Sequence, residues 1–375
     1  MEDRFPIIED CIYLNHAALA PLPRPVADAI IELAEQSCLY GSRHYSKWLL
    51  TEQRCRRLVA QILNAPAPDD IALLKNTSEG LSAVAAGIGL QPGDNLVIPA
   101  REFPSNWLPW QHFAKRNGAV LRQVDIRTTD DPEAALLDAM DDRTRVLAVS
   151  AVQYSDGFRL DLEKLGRACV DQPAWFCVDA IQQLGALPLD VQACRVDCLS
   201  ASAHKWLLGP EGIALFYIRE DLRKQLSLQQ YGWSMLDDKF NFDRDEWQPS
   251  ASARRYEAGS PNNLGIAGLH AALTLLLDEG LDSISAQVLD NTRYLTGQID
   301  DLEGFEVLSP RRSGRQSGIV TFRHQGTNSG SLYKKLMQAD VFSALRGDAI
   351  RWSPHFYTPR QDLERALLLV KMLTD

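Results

Sequence analysis

Lys205 follows His204 at the end of the apolar run VDCLSAS, and Trp206 and a turn with Gly209, Pro210 and Gly212 come after it. Most lysines are solvated surface charges. One held among apolar neighbours sheds its proton more readily, and its free amine can condense with an aldehyde to an imine. Asp179 lies 26 positions upstream of Lys205, at the end of the apolar run AWFCVDA. A carboxylate in a buried strand is costly unless it meets a positive partner. A protonated pyridine nitrogen is such a partner, and the ring then acts as an electron sink for a substrate carbanion. A strand-end cap or a structural ion pair is the alternative for Asp179. The stretch KNTSEGLSAVAAGI sets Asn76, Thr77, Ser78 and Gly80 at the opening of a helix after a strand. Hydroxyls and free N–H groups there form a phosphate seat, although capping alone uses the same residue types. Ser202 and His204, beside the lysine, are further candidate phosphate donors. An imine-forming lysine, a pyridine partner and a phosphate seat together describe a site for pyridoxal 5′-phosphate (PLP).

The elements that must position these residues alternate. DNLVIPA, AVLRQVDI, RVLAVSAVQYS, AWFCVDA, VDCLSAS and IALFYI are short apolar runs bounded by turn signals, and helical patterns separate several of them. Runs of this kind suit strands buried on both faces, and the alternation predicts an α/β fold with a mostly parallel sheet. PVADAIIELAEQSCLYG predicts a helix over Pro25–Gly41, and LGIAGLHAALTLLLDEG another over Leu264–Gly280. The tail reads as a smaller α+β domain, with strands in GIVTFRH and AIRWSPHFY and a terminal helix in RQDLERALLLVKML. The segment between Leu222 and Arg255, polar and aromatic, reads as irregular. The expected division is a large domain over 16–265 and a small one over 266–375 joined by the arm 1–15.

The chain has 375 residues and a net charge of −10. That balance argues against nucleic acid or a membrane surface as a partner. The acidic N-terminus is unlike a signal peptide, and no apolar stretch reaches the roughly 18 to 20 residues of a membrane span. A cytoplasmic protein is expected. Seven scattered cysteines without a CxxC pair fit reduced thiols. Cys194 and Cys198 have the spacing of half a metal site, but no second half follows, so no metal is expected.

The combination in VDAIQQLGALPLDV…VDCLSASAHKWLLGPEGIALFYI, with RRYEAGSPNNLGIAGL further on, resembles the class V aminotransferase family of fold-type I PLP enzymes. That family includes cysteine desulfurases, selenocysteine lyases, isopenicillin N epimerase-like proteins and kynureninases. The resemblance runs from Tyr13 to Tyr357. It implies a large domain with a mostly parallel seven-stranded mixed sheet, a smaller C-terminal α+β domain, and a homodimer with active sites at the subunit interface. By this resemblance Lys205 is the imine lysine and general acid/base, and Asp179 partners the pyridine nitrogen. Gln182 falls where the family contacts the cofactor's phenolic oxygen. Thr77, Ser78, Ser202 and His204 match phosphate ligands, and Gly259 and Ser260 match a loop reaching the phosphate of the partner subunit. Arg351 matches the arginine that binds a substrate α-carboxylate, with Arg346 competing. Asn15 and His16 match the segment that approaches the small amino-acid substrate.

Two departures bear on the reaction. Phe103 stands where many members stack a histidine on the ring; its face still stacks, but it carries no proton. Ser105, Asn106 and Trp107, which follow it, also read as site residues, with a structural turn at Pro104 as the alternative. No cysteine follows Cys198, whereas desulfurases take up sulfur on a C-terminal cysteine. Tyr154 and Ser155 stand near where many relatives have an asparagine. Transamination is the first expectation. Carbon–sulfur β-elimination or a cysteine desulfurase-like reaction is second. Epimerisation, with His16, His44 or His355 as a second acid/base, is third, and a non-catalytic binding protein is last.

Overall fold

The computed structural model describes residues 2–170, 172–243 and 245–374. A short strand, β1 (Ile12–Tyr13), lies in the N-terminal arm. Seven strands follow: β2 (Ile71–Leu74), β3 (Asn95–Pro99), β4 (Val120–Val124), β5 (Thr144–Ser150), β6 (Trp175–Asp179), β7 (Cys198–Ser202) and β8 (Ala214–Ile218). They form one sheet of order β2-β8-β7-β6-β5-β3-β4. The run from β4 through β3, β5 and β6 to β7 is parallel throughout. β8 is antiparallel to both its neighbours.

The apolar runs form this sheet because both its faces are covered. Leu147, Val149, Phe176, Val178, Leu199 and Leu215 pack on one side. Val146, Ala148, Cys177, Cys198, Phe216 and Ile218, alternating with them along the strands, pack on the other. Cys177 and Cys198 are therefore core side chains, directly paired across β6 and β7. The parallel strands end at a common edge, where open α/β sheets bind their ligands. Ser150, Asp179 and Ser202 are the last residues of β5, β6 and β7, and the helix Thr77–Gly87 begins after β2 at the same edge.

The second sheet is built from β9 (Phe305–Val307), β10 (Val320–His324), β12 (Ala344–Arg346) and β13 (Ala349–Trp352), all antiparallel, in the order β12-β13-β10-β9. Between β10 and β12, β11 (Val341–Phe342) pairs in parallel with β1. Ile12 and Leu14 thereby join the core of this lobe with Leu295, Phe322, Leu336, Ile350, Trp352 and Leu363. The helices Leu281–Asp300, Ser329–Gln338 and Arg360–Thr374 contribute to it.

The helix expected over Pro25–Gly41 spans Arg24–Tyr40 and ends at Gly41, whose φ of +55° favours glycine. Among its described residues, the segment before Arg255 holds short 3-10 turns and one isolated bridge, between Leu236 and Pro249. The helix Asn263–Glu279 lies across the expected boundary at 265/266. Its Ile266, Leu269, Leu273 and Leu276 pack in the core of the larger lobe, so we propose the junction at Gly280. Among the described residues no single helix is long and apolar enough to cross a membrane, and no group of three or more potential metal ligands occurs.

Candidate active site

Lys205 and Asp179 meet at the strand-end edge. Asp179 closes β6 and is 2% exposed; the only hydrogen bond to its carboxylate among the described residues comes from the Ile181 N–H, 3.0 Å away. Burial pushes its carboxyl up to about 7, with the Ile181 N–H opposing, Glu102 adding to the rise and Lys205 opposing. Lys205 is 8% exposed and its Nζ lies 5.5 Å from the centre of the Phe103 ring. Burial pushes the amine down to about 8, against the attraction of Asp179 and with the help of Arg351 and Arg346. The lysine loop is held by hydrogen bonds and close packing. The Leu208 N–H bonds the Lys205 carbonyl at 3.0 Å, and the Ala20 N–H of the arm bonds the His204 carbonyl at 2.8 Å. Gly185, at φ +93°, comes so close to the Trp206 carbonyl that a Cβ would lie 2.1 Å from its oxygen.

Thr77 and Ser202 clasp the helix start to the end of β7. The Thr77 N–H donates to Ser202 Oγ at 2.8 Å, the Ser202 N–H donates to Thr77 Oγ1 at 2.8 Å, and the two hydroxyls are 2.9 Å apart. Asn76 caps the helix by accepting from the Glu79 N–H at 2.9 Å. Ser78 is exposed, its hydroxyl 2.7 Å from that of Ser105. The half-buried His204 ring is held toward its neutral form by burial and by Lys205.

Arg351 on β13 is 1% exposed. Its Nη1 donates to the Tyr154 carbonyl at 2.6 Å, while Nε and Nη2 are buried with no partner. Burial, then Arg346, lowers its pKa to about 9. Arg346, on β12, bonds the carbonyl of Leu345 at 2.9 Å. Two unpaired donors on a buried guanidinium are the complement of a carboxylate, which favours Arg351 over Arg346 for that role.

The other sequence candidates have these surroundings. His16 is fully buried, and both ring nitrogens are taken: Nδ1 donates to the Ser353 carbonyl at 2.9 Å and Nε2 accepts from the Tyr357 hydroxyl at 2.6 Å. These bonds tie it to Ser353 and Tyr357 of the C-terminal region. Asn15 beside it keeps a buried Oδ1 without a partner. His355 is likewise tied, to the Trp206 carbonyl and the Phe356 N–H. His44 packs against Tyr40. Gln182 donates to the Ala17 carbonyl at 2.9 Å and accepts from the Trp206 indole at 3.0 Å, so it braces the arm and the lysine loop. Asn106 is buried and accepts from the Trp110 indole. Gly259 and Ser260 are exposed, and nothing lies within 4 Å of a Cβ at Gly259. Their loop is anchored by Glu257, which takes two bonds from Arg56 (2.6 and 2.7 Å) and one from the Leu73 N–H (2.6 Å).

Glu102 was not found from sequence. It is buried beside Phe103 and accepts from the N–H and hydroxyl of Ser150 and from Gln153. Burial raises its pKa. Only its place before Phe103, at the end of a strand run, hinted at it.

A family model for class V aminotransferases matches residues 12–348. The chain belongs to the class V aminotransferase family. A probable cysteine desulfurase of Pyrococcus abyssi is 30% identical over 323 residues, covering 84% of this chain and 79% of that protein. The structure of the cystine C–S lyase C-DES with its product cysteine persulfide superposes with a TM-score of 0.91 at 22% identity, covering 98% of this chain and 99% of the other. A variant of C-DES has glycine covalently linked to its PLP cofactor. The apo cysteine desulfurase of Thermococcus onnurineus NA1 gives 0.88 at 26% identity, covering 100% and 97%. In this class V chain the seven-stranded mixed sheet and the further sheet are those of fold type I.

Proposed function

We propose that this class V chain is a PLP-dependent carbon–sulfur lyase that breaks the Cβ–S bond of a cysteine-derived amino acid. The observation that carries the reading is Arg351, buried with two unpaired guanidinium nitrogens and close enough to Lys205 to depress its amine. It is a ready seat for an α-carboxylate beside a reactive amine. The residues also fit the cofactor. Asp179 is a buried carboxylate with one backbone donor, which suits a pyridinium. Lys205 is an amine with no hydrogen-bond partner among the described residues, which suits an aldehyde carbon. Ser78 stands at the helix start, where a phosphate would sit, and His204 lies two residues beyond Ser202, which is clasped to that start. Phe103 offers a ring face.

PLP, when bound, supplies the electron sink that makes loss of the Cα proton possible. Lys205, nearly buried and with its amine pKa lowered to about 8, is suited to take that proton. Arg351 fixes the carboxylate so that the Cα–H bond faces the amine. The Cβ–S bond then breaks with its electron pair on sulfur, which leaves as a thiol or persulfide. The three-carbon remainder hydrolyses to pyruvate and ammonia.

Elimination is preferred to transamination, reversing the order expected from the sequence, because the relatives are named for cysteine and cystine chemistry. Sulfur leaves on the product in this reading, since no cysteine follows Cys198 to receive it. Epimerisation loses support because His16 and His355 are fully committed. We further propose a cytoplasmic homodimer, in which Gly259 and Ser260 meet the phosphate site of the partner.

The test mixes the PLP-loaded protein with L-cysteine or L-cystine, without a keto acid. Continuing pyruvate release, with sulfide or persulfide, supports the lyase. A single keto acid per site, resumed only on adding an acceptor, overturns it in favour of transamination.

A further inference from the structure

A cleft of about 610 Å³ opens beside the Arg351 seat, lined among others by Arg101, Arg127, Tyr154, Thr321 and Arg346. It adjoins the reactive centre through contacts already described. The Tyr154 carbonyl holds Arg351, and Thr321 is the register partner of Arg351 across β10 and β13. The Tyr154 ring meets the Phe103 ring edge-on at 5.2 Å, and Phe103 faces Lys205. Arg346 acts electrostatically on both Lys205 and Arg351.

The charges in the cleft do not cancel. Arg127 pairs with Asp156 at 3.1 Å and donates to Ser155 Oγ at 2.6 Å. Asp348 pairs with Arg323 at 2.8 Å. Among the described residues, Arg101 and Arg346 have no carboxylate partner. Arg101 is also held at φ +64°, in the left-handed region that costs a side-chain-bearing residue free energy. The backbone strain at Arg101 and two guanidinium groups without a carboxylate partner occur in one cleft, beside the Arg351 seat.

We propose that this cleft is a subsite for an anionic group on the sulfur substituent of the substrate, with Arg101 and Arg346 as its receptors and Arg127 fixing the wall. The substrate class is then a cysteine thioether or disulfide with a second carboxylate. This rests on the reading of the chain as a carbon–sulfur lyase, which supplies the α-amino acid end. Arg351 takes the α-carboxylate and the cleft takes the distal one. Two separate cationic seats would select two-ended substrates over cysteine itself.

The experiment compares S-(2-carboxyethyl)-L-cysteine with its neutral amide, S-(2-carbamoylethyl)-L-cysteine, which has the same length. Affinities are read from the spectral change of the PLP-loaded protein and, without turnover, by calorimetry on Lys205→Ala. The carboxylate is expected to bind at least about tenfold more tightly, the scale of one charge-assisted hydrogen bond. In the Arg101→Met/Arg346→Met double variant that ratio is expected to fall below about twofold. Equal binding in the wild type, no binding of either compound, or a preference that survives in the double variant would overturn the subsite. Pyruvate is measured in parallel. A preserved binding preference with no pyruvate from either compound would sink the lyase reading and leave the subsite standing.

Discussion

Arg351 donates one hydrogen bond, 2.6 Å long, to the carbonyl of Tyr154, and its two other nitrogen positions are buried without partners. Such a group is destabilising until a ligand completes it. Arg351→Met is therefore expected to stabilise the apoprotein, by about 1–4 kcal/mol, seen as a higher urea midpoint. The same change should weaken binding of α-amino acids by about a hundredfold or more, and of their decarboxylated amines far less. If Arg346→Met alone produces that selectivity, the α-carboxylate seat is the other arginine.

The Lys205 and Asp179 pair sets a pH dependence. Lys205 is lowered from 10.5 to about 8, so the unfolded chain binds more protons between those values and stability rises with pH across that window. Asp179 is raised from 3.8 to about 7, so the folded chain binds more protons there and stability falls as pH rises from about 4 to 7. Asp179→Asn should raise the thermal midpoint of the apoprotein more at pH 8 than at pH 4. Borohydride-trapped attachment of PLP should increase through about pH 8 in the wild type. In Asp179→Asn the midpoint should move lower, because Asp179 favours the ammonium. An unchanged midpoint would remove the coupling.

The strands and the lysine–aspartate pair were legible because each depends on a local pattern. β5, β6 and β7 are mostly apolar runs, and each ends in a buried polar residue at the same sheet edge. The helix Tyr45–Leu63 was not picked out, because its buried face includes Glu52 and Arg56. Arg56 there pairs with Glu52 one turn back, and its other donors reach Glu257 and the Ile71 carbonyl, far along the chain. His16 looked like a substrate contact because its sequence position is right. What the sequence does not reveal is that the Tyr357 hydroxyl, 341 residues away, takes its Nε2. The arm's place in the small lobe rests on the pairing of β1 with β11, two residues long, too short to leave a signature. The unpaired state of Arg351 is likewise a property of packing, invisible in IRWSPHF.

Thr77→Val tests the clasp between the helix start and β7. The change removes the acceptor of the buried Ser202 N–H and one of the partners of its hydroxyl. A loss of about 1–3 kcal/mol in folding stability is expected from the orphaned groups, with weaker PLP retention. Ser78→Ala removes an exposed hydroxyl and should lower PLP affinity with little change in urea midpoint. Equal losses of stability in both variants would show that Ser78 is structural and has no phosphate to hold.

Cysteine chemistry separates a lyase that releases sulfur on its product from a desulfurase that collects it on the protein. Cys55, Cys169, Cys177, Cys194 and Cys198 are buried. Cys11, half-buried in the arm, has its thiol pushed up to about 11 by burial and by Asp10, Asp340 and Asp362. That keeps it protonated and a poor nucleophile at neutral pH. Cys38 is exposed on the helix Arg24–Tyr40 in the larger lobe. The Cys11→Ser/Cys38→Ser variant, and wild type after iodoacetamide, should therefore keep pyruvate formation from L-cystine within about twofold, the effect of substitutions remote from the reacting atoms. A drop of more than about tenfold, or about 1.4 kcal/mol in transition-state stabilisation, together with a persulfide on Cys11 or Cys38 found by mass spectrometry, would mean that a protein thiol takes the sulfur. That result would replace product release by transfer to the enzyme.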